Sequence, residues 1–242
     1  MYVITQFNYE KAQYYLEQAQ ILANEIGESR WINLNEYFLG VLEANAGNDH
    51  IALRHFLHGY FQTSANSDYL ALIMTEMTSI LWSEGMGNKI SLSLLENAKK
   101  ITAMRPNPNP FIEGRILSEF CNIYSDSGEL EKAITYFQLT ENAYAEIPRK
   151  FPFSSIALDL KISKAQILLM QDDSKTAHQI LSEVFLQLPN YSFNISLHIR
   201  LLYVYAMALI AVQDFQNALH YCQLGLDLSK KKHPKIKFPE IV

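Results

Sequence analysis

Three histidines near residue 50 are the side chains in this chain with the most obvious capacity for chemistry. His50, His55 and His58 lie close together, and His55 and His58, three positions apart, share one face of a helix. Imidazole is a common metal ligand, but a metal site needs a further ligand aimed at the same point. Asp49 is better placed as a helix N-cap than as that ligand. We therefore expect a solvated helix face here, with no bound metal and no cofactor.

Motifs for catalysis do not occur in the sequence. There is no Gly-x-x-x-x-Gly-Lys phosphate loop, no His-Glu-x-x-His, no Cys-x-x-Cys and no Gly-x-Ser-x-Gly. Nothing pairs a nucleophile with a base, so we expect a protein that is not an enzyme.

The charges are unevenly distributed along the chain. The formal charge of the 242 residues is −5, but five lysines lie between Lys230 and Lys237. Residues 1–229 therefore carry 15 basic and 24 acidic side chains, a balance of −9. A body this acidic argues against nucleic-acid binding by residues 1–229.

Hydropathy and cysteine usage suggest where the protein acts. The longest strongly apolar run, Leu201 to Val212, is too short to span a bilayer, and no signal peptide is visible, so we expect no membrane association. Cys121 and Cys222 fall at near-core positions of helical segments, which favours reduced thiols and a cytoplasmic location.

A repeat of about forty residues organises the chain. Small residues recur twelve positions apart, and the second member of each pair forms a series with steps of 40, 39, 42, 44 and 41 residues. A small side chain at each position would let two antiparallel helices approach closely. The series comprises Gly40/Ala52, Ser79/Ser91, Cys121/Ala133, Ala165/Ala177 and Ala206/Ala218, preceded by Ala12.

Apolar spacing and turn residues predict the helices that carry these pairs. Turns containing Gly, Asn or Asp join the two helices of a pair, and prolines fall between pairs. We predict helices over 7–26, 30–46, 49–62, 67–84, 88–104, 111–127, 130–146, 153–171, 174–187, 194–212 and 215–231. Residues 1–229 then form one repeat domain, followed by a basic, proline-containing tail or linker over 230–242.

These repeats resemble the tetratricopeptide-repeat family. Gly40, Ala52, Phe56 and Gly59 match its small–small–aromatic–small signature, although the period exceeds the usual thirty-four residues. The resemblance implies an all-α, right-handed superhelical solenoid of about five and a half antiparallel helix pairs. The long repeats look most like the sensor arrays of MalT-type activators and of Rap, PlcR and Rgg peptide receptors.

The same resemblance implies a ligand-binding groove on the concave surface, lined by the first helix of each pair. Carried over by register, its polar and aromatic candidates are Tyr37, Glu76, Arg115, Ser118, Asn122, Asp126, Asp159, Gln166, Arg200 and Tyr203. Asn122 and Gln166 suit a peptide backbone, because a carboxamide both donates and accepts hydrogen bonds. Arg115 and Arg200 could hold a carboxylate. Alternatively, Arg115 pairs with Glu119 one turn away and only solvates the groove.

The resemblance therefore implies a non-catalytic binding scaffold that recognises a peptide, a protein segment or a small effector. The leading hypothesis is the sensor domain of a bacterial transcription regulator, and the alternative is a stand-alone adaptor in an assembly or secretion system. The first helix lacks a pairing partner, which suggests a piece of a larger protein. Its apolar face, Ala12, Leu16, Ala19, Ala23 and Ile26, also suggests self-association as a homodimer.

Overall fold

Eleven α-helices account for the described part of the chain, and no strand occurs within it. The computed structural model describes residues 9–63, 67–85, 88–145, 147, 154–187 and 194–232, so the 230–242 tail lies largely outside the described residues. All eleven predicted helices are confirmed, with ends displaced by no more than two residues. They are α1 (Tyr9–Ile26), α2 (Ser29–Ala46), α3 (Asp49–Gln62), α4 (Asp68–Ser83), α5 (Asn88–Ala103), α6 (Pro110–Asp126), α7 (Leu130–Ala145), α8 (Ser154–Met170), α9 (Ser174–Gln187), α10 (Ile195–Ala211) and α11 (Phe215–Lys232).

The helices pack as successive pairs, an arrangement consistent with a solenoid. The pairs are α2 with α3, α4 with α5, α6 with α7, α8 with α9, and α10 with α11, and α1 packs on α2. Each even-numbered helix from α2 to α10 also contacts the next even-numbered helix. We call these five the inner helices.

Small residues lie where the two helices of a pair approach. Ala52, Ala133, Ala165 and Ala177 are each fully buried. At Gly40 an added Cβ would come within 2.4 Å of the Phe56 ring, so only glycine fits there. The predicted small-residue pairs therefore lie at the helix contacts of the fold.

Backbone geometry at the turns explains how each pair reverses direction. One residue in each of the five turns within a pair has a positive φ, which ends the first helix in the left-handed region. Three of these are glycines, but two are not, and L-residues adopt this conformation only at some cost. The five residues with positive φ in these turns are Gly47, Gly85, Gly128, Asp172 and Gln213.

Side-chain caps fix where several inner helices begin. Asn109 accepts a hydrogen bond from the Phe111 amide, and Pro110 occupies the first turn, where its missing N–H costs nothing. Asn194 caps α10 by accepting from the Leu197 amide at 2.8 Å. Helices α6 and α10 thus begin at positions set by local sequence.

Two surface expectations need correction. Cys222 is exposed on α11 rather than near the core, whereas Cys121 is buried. On α1, Ala23 is buried, Ala19 and Ile26 are exposed as expected, and Tyr14, Tyr15, Ile21 and Leu22 are exposed as well. Helix α1 thus packs on α2 through part of the expected face and exposes further apolar side chains.

The packing predicts a cost for enlarging one small position. Ala133 is fully buried, and its carbonyl accepts a weak hydrogen bond from the Cys121 thiol at 3.6 Å. We expect Ala133→Leu to lower the free energy of unfolding by roughly 1–3 kcal/mol through overpacking. Urea unfolding followed by circular dichroism measures this loss. Ala145→Leu, at an exposed position of the same helix, is the control. Equal stability of the two variants would contradict the assigned contact.

Candidate functional site

The inner helices form a closed ring. Helix α2 contacts α4, α4 contacts α6, α6 contacts α8, and α8 contacts α10. Helix α10 then contacts α2, so the last inner helix returns to the first. The five inner helices therefore surround one central space, which remains partly open to solvent.

A cavity of about 480 Å³ lies inside this ring. Every inner helix contributes to its wall, and the Asn194 cap of α10 also lines it. The volume falls in the range of sites that hold small molecules or short peptides, roughly 300–1,000 Å³. Its charged lining residues are Glu76, Arg115, Glu119, Asp126, Asp159 and Arg200.

Asp159 on α8 links the two inner helices that flank it. One carboxylate oxygen accepts a hydrogen bond from the Ser118 hydroxyl of α6 at 3.1 Å. The other oxygen pairs with the Arg200 guanidinium of α10. Arg200 also donates to the Ser163 hydroxyl at 3.1 Å and to the Gln166 side-chain oxygen at 3.3 Å. These contacts tie α6, α8 and α10 together.

Asp126, at the end of α6, links α6 to α4 and α8 through hydrogen bonds in the same way. The Gln166 amide donates to one of its oxygens at 2.7 Å, and the Trp82 indole donates to the other at 2.9 Å. Nearby, the Ser163 hydroxyl donates to the side-chain oxygen of Asn122 at 3.2 Å. These contacts join polar groups of the cavity wall across neighbouring helices.

Arg115 pairs mainly with a carboxylate from the preceding inner helix. Its guanidinium donates to Glu76 at 2.9 Å and lies 3.7 Å from Glu119, one turn away on α6. The Glu76 carboxylate raises the pKa of Arg115. The predicted pairing with Glu119 is present, but Glu76 is the closer partner. Because both arginines face carboxylates of this chain, a ligand carboxylate would have to displace those partners.

Glu119 has a different environment from the other carboxylates. Its residue is 7% exposed, it lines the cavity, and no hydrogen bond to its carboxyl occurs within the described part of the chain. Burial raises the pKa of this carboxyl to about 7. Arg115 and Arg200 act to lower the pKa, and Asp159 and Glu76 act to raise it. A neutral form of Glu119 is therefore present near physiological pH.

The structure brings most of the predicted groove residues to one place. Seven line the cavity: Glu76, Arg115, Asn122, Asp126, Asp159, Arg200 and Tyr203. Ser118 and Gln166 are buried beside it and orient the carboxylates of Asp159 and Asp126. Tyr37 differs, because its ring is packed in the hydrophobic core against Phe56 and Tyr69.

Several lining residues were not among the sequence candidates. Glu119 could have been found from its position one turn after Arg115. Asn194, Ser196 and Leu197 line the cavity because α10 approaches α2, and a local repeat pattern carries no signal for that closure.

The histidines lie outside the cavity lining and interact with a carboxylate. His55 and His58 each place Nδ1 against a different oxygen of Glu36 on α2, at 2.8 and 3.0 Å. Burial acts to raise the pKa of Glu36, but the hydrogen bonds from the two rings outweigh it and lower that pKa. His50 and His58 are exposed, as expected, and His55 and His58 also connect α3 to α2 through Glu36. Among the described residues, no group of three His, Cys, Asp or Glu side chains is arranged to hold a metal ion.

Comparisons with known proteins do not place the chain in a family. No protein-family model matches it, and no curated protein matches it. Within the described ranges, every helix is too short or too polar to cross a membrane.

The environment of Glu119 predicts a pH-dependent effect on stability. Its folded-state pKa of about 7 exceeds the ordinary value of 4.5, so its stabilising contribution is complete below about pH 4.5 and is lost as the pH rises through 7. Glutamine cannot ionise, so we expect Glu119→Gln to match the natural protein at pH 4.5 and to exceed its stability at pH 8. The expected gain is about 1–3 kcal/mol.

Urea unfolding at the two pH values measures this difference. Glu131→Gln, on the exposed surface of α7, is the control and should show no comparable gain. A Glu119→Gln protein that is less stable at pH 8 would mean that the carboxylate is needed in its charged form by Arg115.

Proposed function

We propose that this protein is a non-catalytic binding scaffold whose central cavity holds a short peptide, a protein segment or a small effector. The observation that carries the proposal is the cavity of about 480 Å³ to which all five inner helices contribute. A ligand there would contact several repeats at once, so its binding would change how they pack together. That coupling suits a sensor.

The wall offers groups suited to ligands of this kind. Tyr203 is largely exposed, and it lines the cavity together with Ile80 and Leu197. Asn122 uses its side-chain oxygen for Ser163, while its amide nitrogen has no acceptor within the described residues. Apolar surface beside an available donor is the usual composition of a binding pocket for small molecules.

The type of repeat and the biological role that we propose rest on the spacing of the repeats in the sequence. We propose a right-handed superhelix of about five and a half tetratricopeptide-type pairs, acting as the sensor domain of a cytoplasmic bacterial transcription regulator. The alternative is a stand-alone adaptor for a protein partner in an assembly or secretion system. A cavity of about 480 Å³ bordered by five helices suits a short or small ligand better than a folded partner, which favours the sensor.

Ligand binding should depend on Asn122. A pool of short peptides and metabolites, incubated with the protein and recovered with it by gel filtration, identifies what the cavity retains. We expect Asn122→Ala to weaken the retained ligand by roughly 1–3 kcal/mol, because a polar group of the ligand loses its partner. Calorimetry measures the loss.

Asn142→Ala, on the exposed surface of α7, is the matched control and should bind as the natural protein does. Lower thermal stability of Asn122→Ala with unchanged affinity would show that Asn122 only packs between helices. It would refute the role of this residue in binding.

We also propose a second copy of the chain as a partner. Helix α1 exposes Tyr14, Tyr15, Ile21 and Leu22, and α11 exposes Phe215, Leu219 and Leu226. Helix α1 contains three glutamates and one lysine, whereas α11 ends in three consecutive lysines. Because α1 is acidic and the end of α11 is basic, α1 of one copy would pair with α11 of another.

Self-association should therefore depend on the α11 stripe. Leu219 is 74% exposed, so Leu219→Glu should leave folding intact and shift the protein towards monomer in sedimentation velocity. Gln216→Glu adds the same charge at an exposed position of α11 and should leave the sedimentation of the protein unchanged. A natural protein that stays monomeric at high concentration would refute the contact.

A further inference from the structure

The charges lining the cavity favour a positively charged ligand group. Four carboxylates and two arginines contribute to the wall, which gives a formal balance of −2 when all are ionised. Glu76, Asp126 and Asp159 each accept a hydrogen bond from a neighbouring inner helix, and both arginines are held by such contacts. Within the lining, the two arginines therefore leave two negative charges without a matching cation when all are ionised.

Glu119 is where this excess is least satisfied. Its side chain is more than nine-tenths buried yet reaches the cavity, and its nearest cation, Arg115, lies 3.7 Å away. That separation is too long for a hydrogen bond. The carboxyl faces the cavity and no described residue donates a hydrogen bond to it, so a ligand that donates to it would supply the missing partner.

Asn122 places a second available group beside it. Residues 119 and 122 are three positions apart on α6, so their side chains lie on the same face of the helix. The Asn122 oxygen accepts from Ser163, while its amide nitrogen has no acceptor within the described residues. The pair thus offers one acidic acceptor and one neutral donor, side by side, to whatever occupies the cavity.

We infer, resting on the proposed function, that the cavity binds a ligand through a primary amine held by Glu119, with an adjacent carbonyl accepting from Asn122. A free peptide N-terminus has this chemistry, because its α-ammonium group is followed immediately by a peptide carbonyl. A lysine side chain or a polyamine can supply the amine as well, but without that adjacent carbonyl.

Proton exchange accompanies this binding. The ionisable groups around Glu119 are Arg115 on its own helix, Glu76 on α4, Asp159 on α8, Arg200 on α10, and Tyr144 on α7, which interacts with Glu119 and Arg115. With a pKa of about 7, Glu119 is partly protonated when the cavity holds no ligand. An entering ammonium group favours the carboxylate, so the proton passes to solvent. Affinity for a peptide N-terminus should therefore increase from pH 6 to about pH 7.4 and fall above it, because the α-amino group, with an ordinary pKa of about 7.7–8.0, then loses its own proton.

A competition between free and blocked amines tests the inference. The probe is a pool of random tripeptide amides, half with free N-termini and half N-acetylated. Peptides bound to the protein are separated from unbound peptides by gel filtration and quantified by mass spectrometry. We expect free N-termini to be retained at least tenfold more than acetylated ones. Glu119→Gln should abolish that preference, and Glu131→Gln, on the exposed surface of α7, should keep it.

The amine's source follows from the same experiment. Retention of acetylated peptides only when they contain lysine, or displacement of the pool by spermidine, would assign the Glu119 contact to a side-chain amine or a polyamine. It would overturn the adjacent carbonyl at Asn122, while loss of this retention in Glu119→Gln would support the amine contact. Equal retention of free and acetylated peptides, with no lysine preference, would overturn the inference while leaving the binding function intact. Retention of no peptide, and none of spermidine, would overturn both.

Discussion

Two arginines and four carboxylates face one another between the inner helices, and the rest of the cavity depends on how they pair. Burying ions costs free energy, which hydrogen bonds from neighbouring groups must offset. Asp159 meets this need by joining α6 to α10, and Asp126 does so by joining α4 to α8. These partners lie about one repeat apart along the chain, so their contacts link successive repeats along the concave surface. The contact between α10 and α2 completes the ring around them.

The two helices of each pair have different physical tasks. Outer helices such as α3 and α7 hold the pair together through small residues and aromatic rings, as Phe56 does against Gly40. Inner helices such as α6 bury one face in that apolar contact and present the other to the cavity. Because the stability of a pair comes mainly from the apolar side, the inner face can carry polar groups that are available to a ligand. Glu119 is the clearest example, since it is buried without a hydrogen bond in the described part of the chain.

The helices and turns could be predicted from the sequence because they depend on neighbours a few positions away. Apolar spacing located α3 and α9 to the residue, and the turn residues located positive φ at Gly47 and Gly128. The repeat register also placed most of the groove candidates at the cavity. It was less informative for Tyr37, whose ring meets Phe56 and Tyr69 across α2, α3 and α4.

Contacts between repeats could not be predicted in the same way, because they depend on the curvature of the whole array. Arg115 has a carboxylate one turn away on its own helix, yet its closest partner is Glu76, one repeat earlier. The pairing of His55 and His58 with Glu36 depends on how α2 and α3 are rotated against each other. The approach of α10 to α2 results from small rotations between successive pairs that add up over the five pairs. No short segment of the sequence therefore encodes it.

Everything proposed for the cavity rests on the Glu119 carboxyl, which faces it without a hydrogen bond from any described residue. The most direct measurement is the titration of the Glu119 carboxyl carbon by nuclear magnetic resonance in protein labelled with carbon-13 glutamate, the signal being assigned by its loss in Glu119→Gln. We predict a midpoint near pH 7. A midpoint near the ordinary value of 4.5 would show a solvated or well-paired carboxylate and would contradict a buried, poorly partnered Glu119.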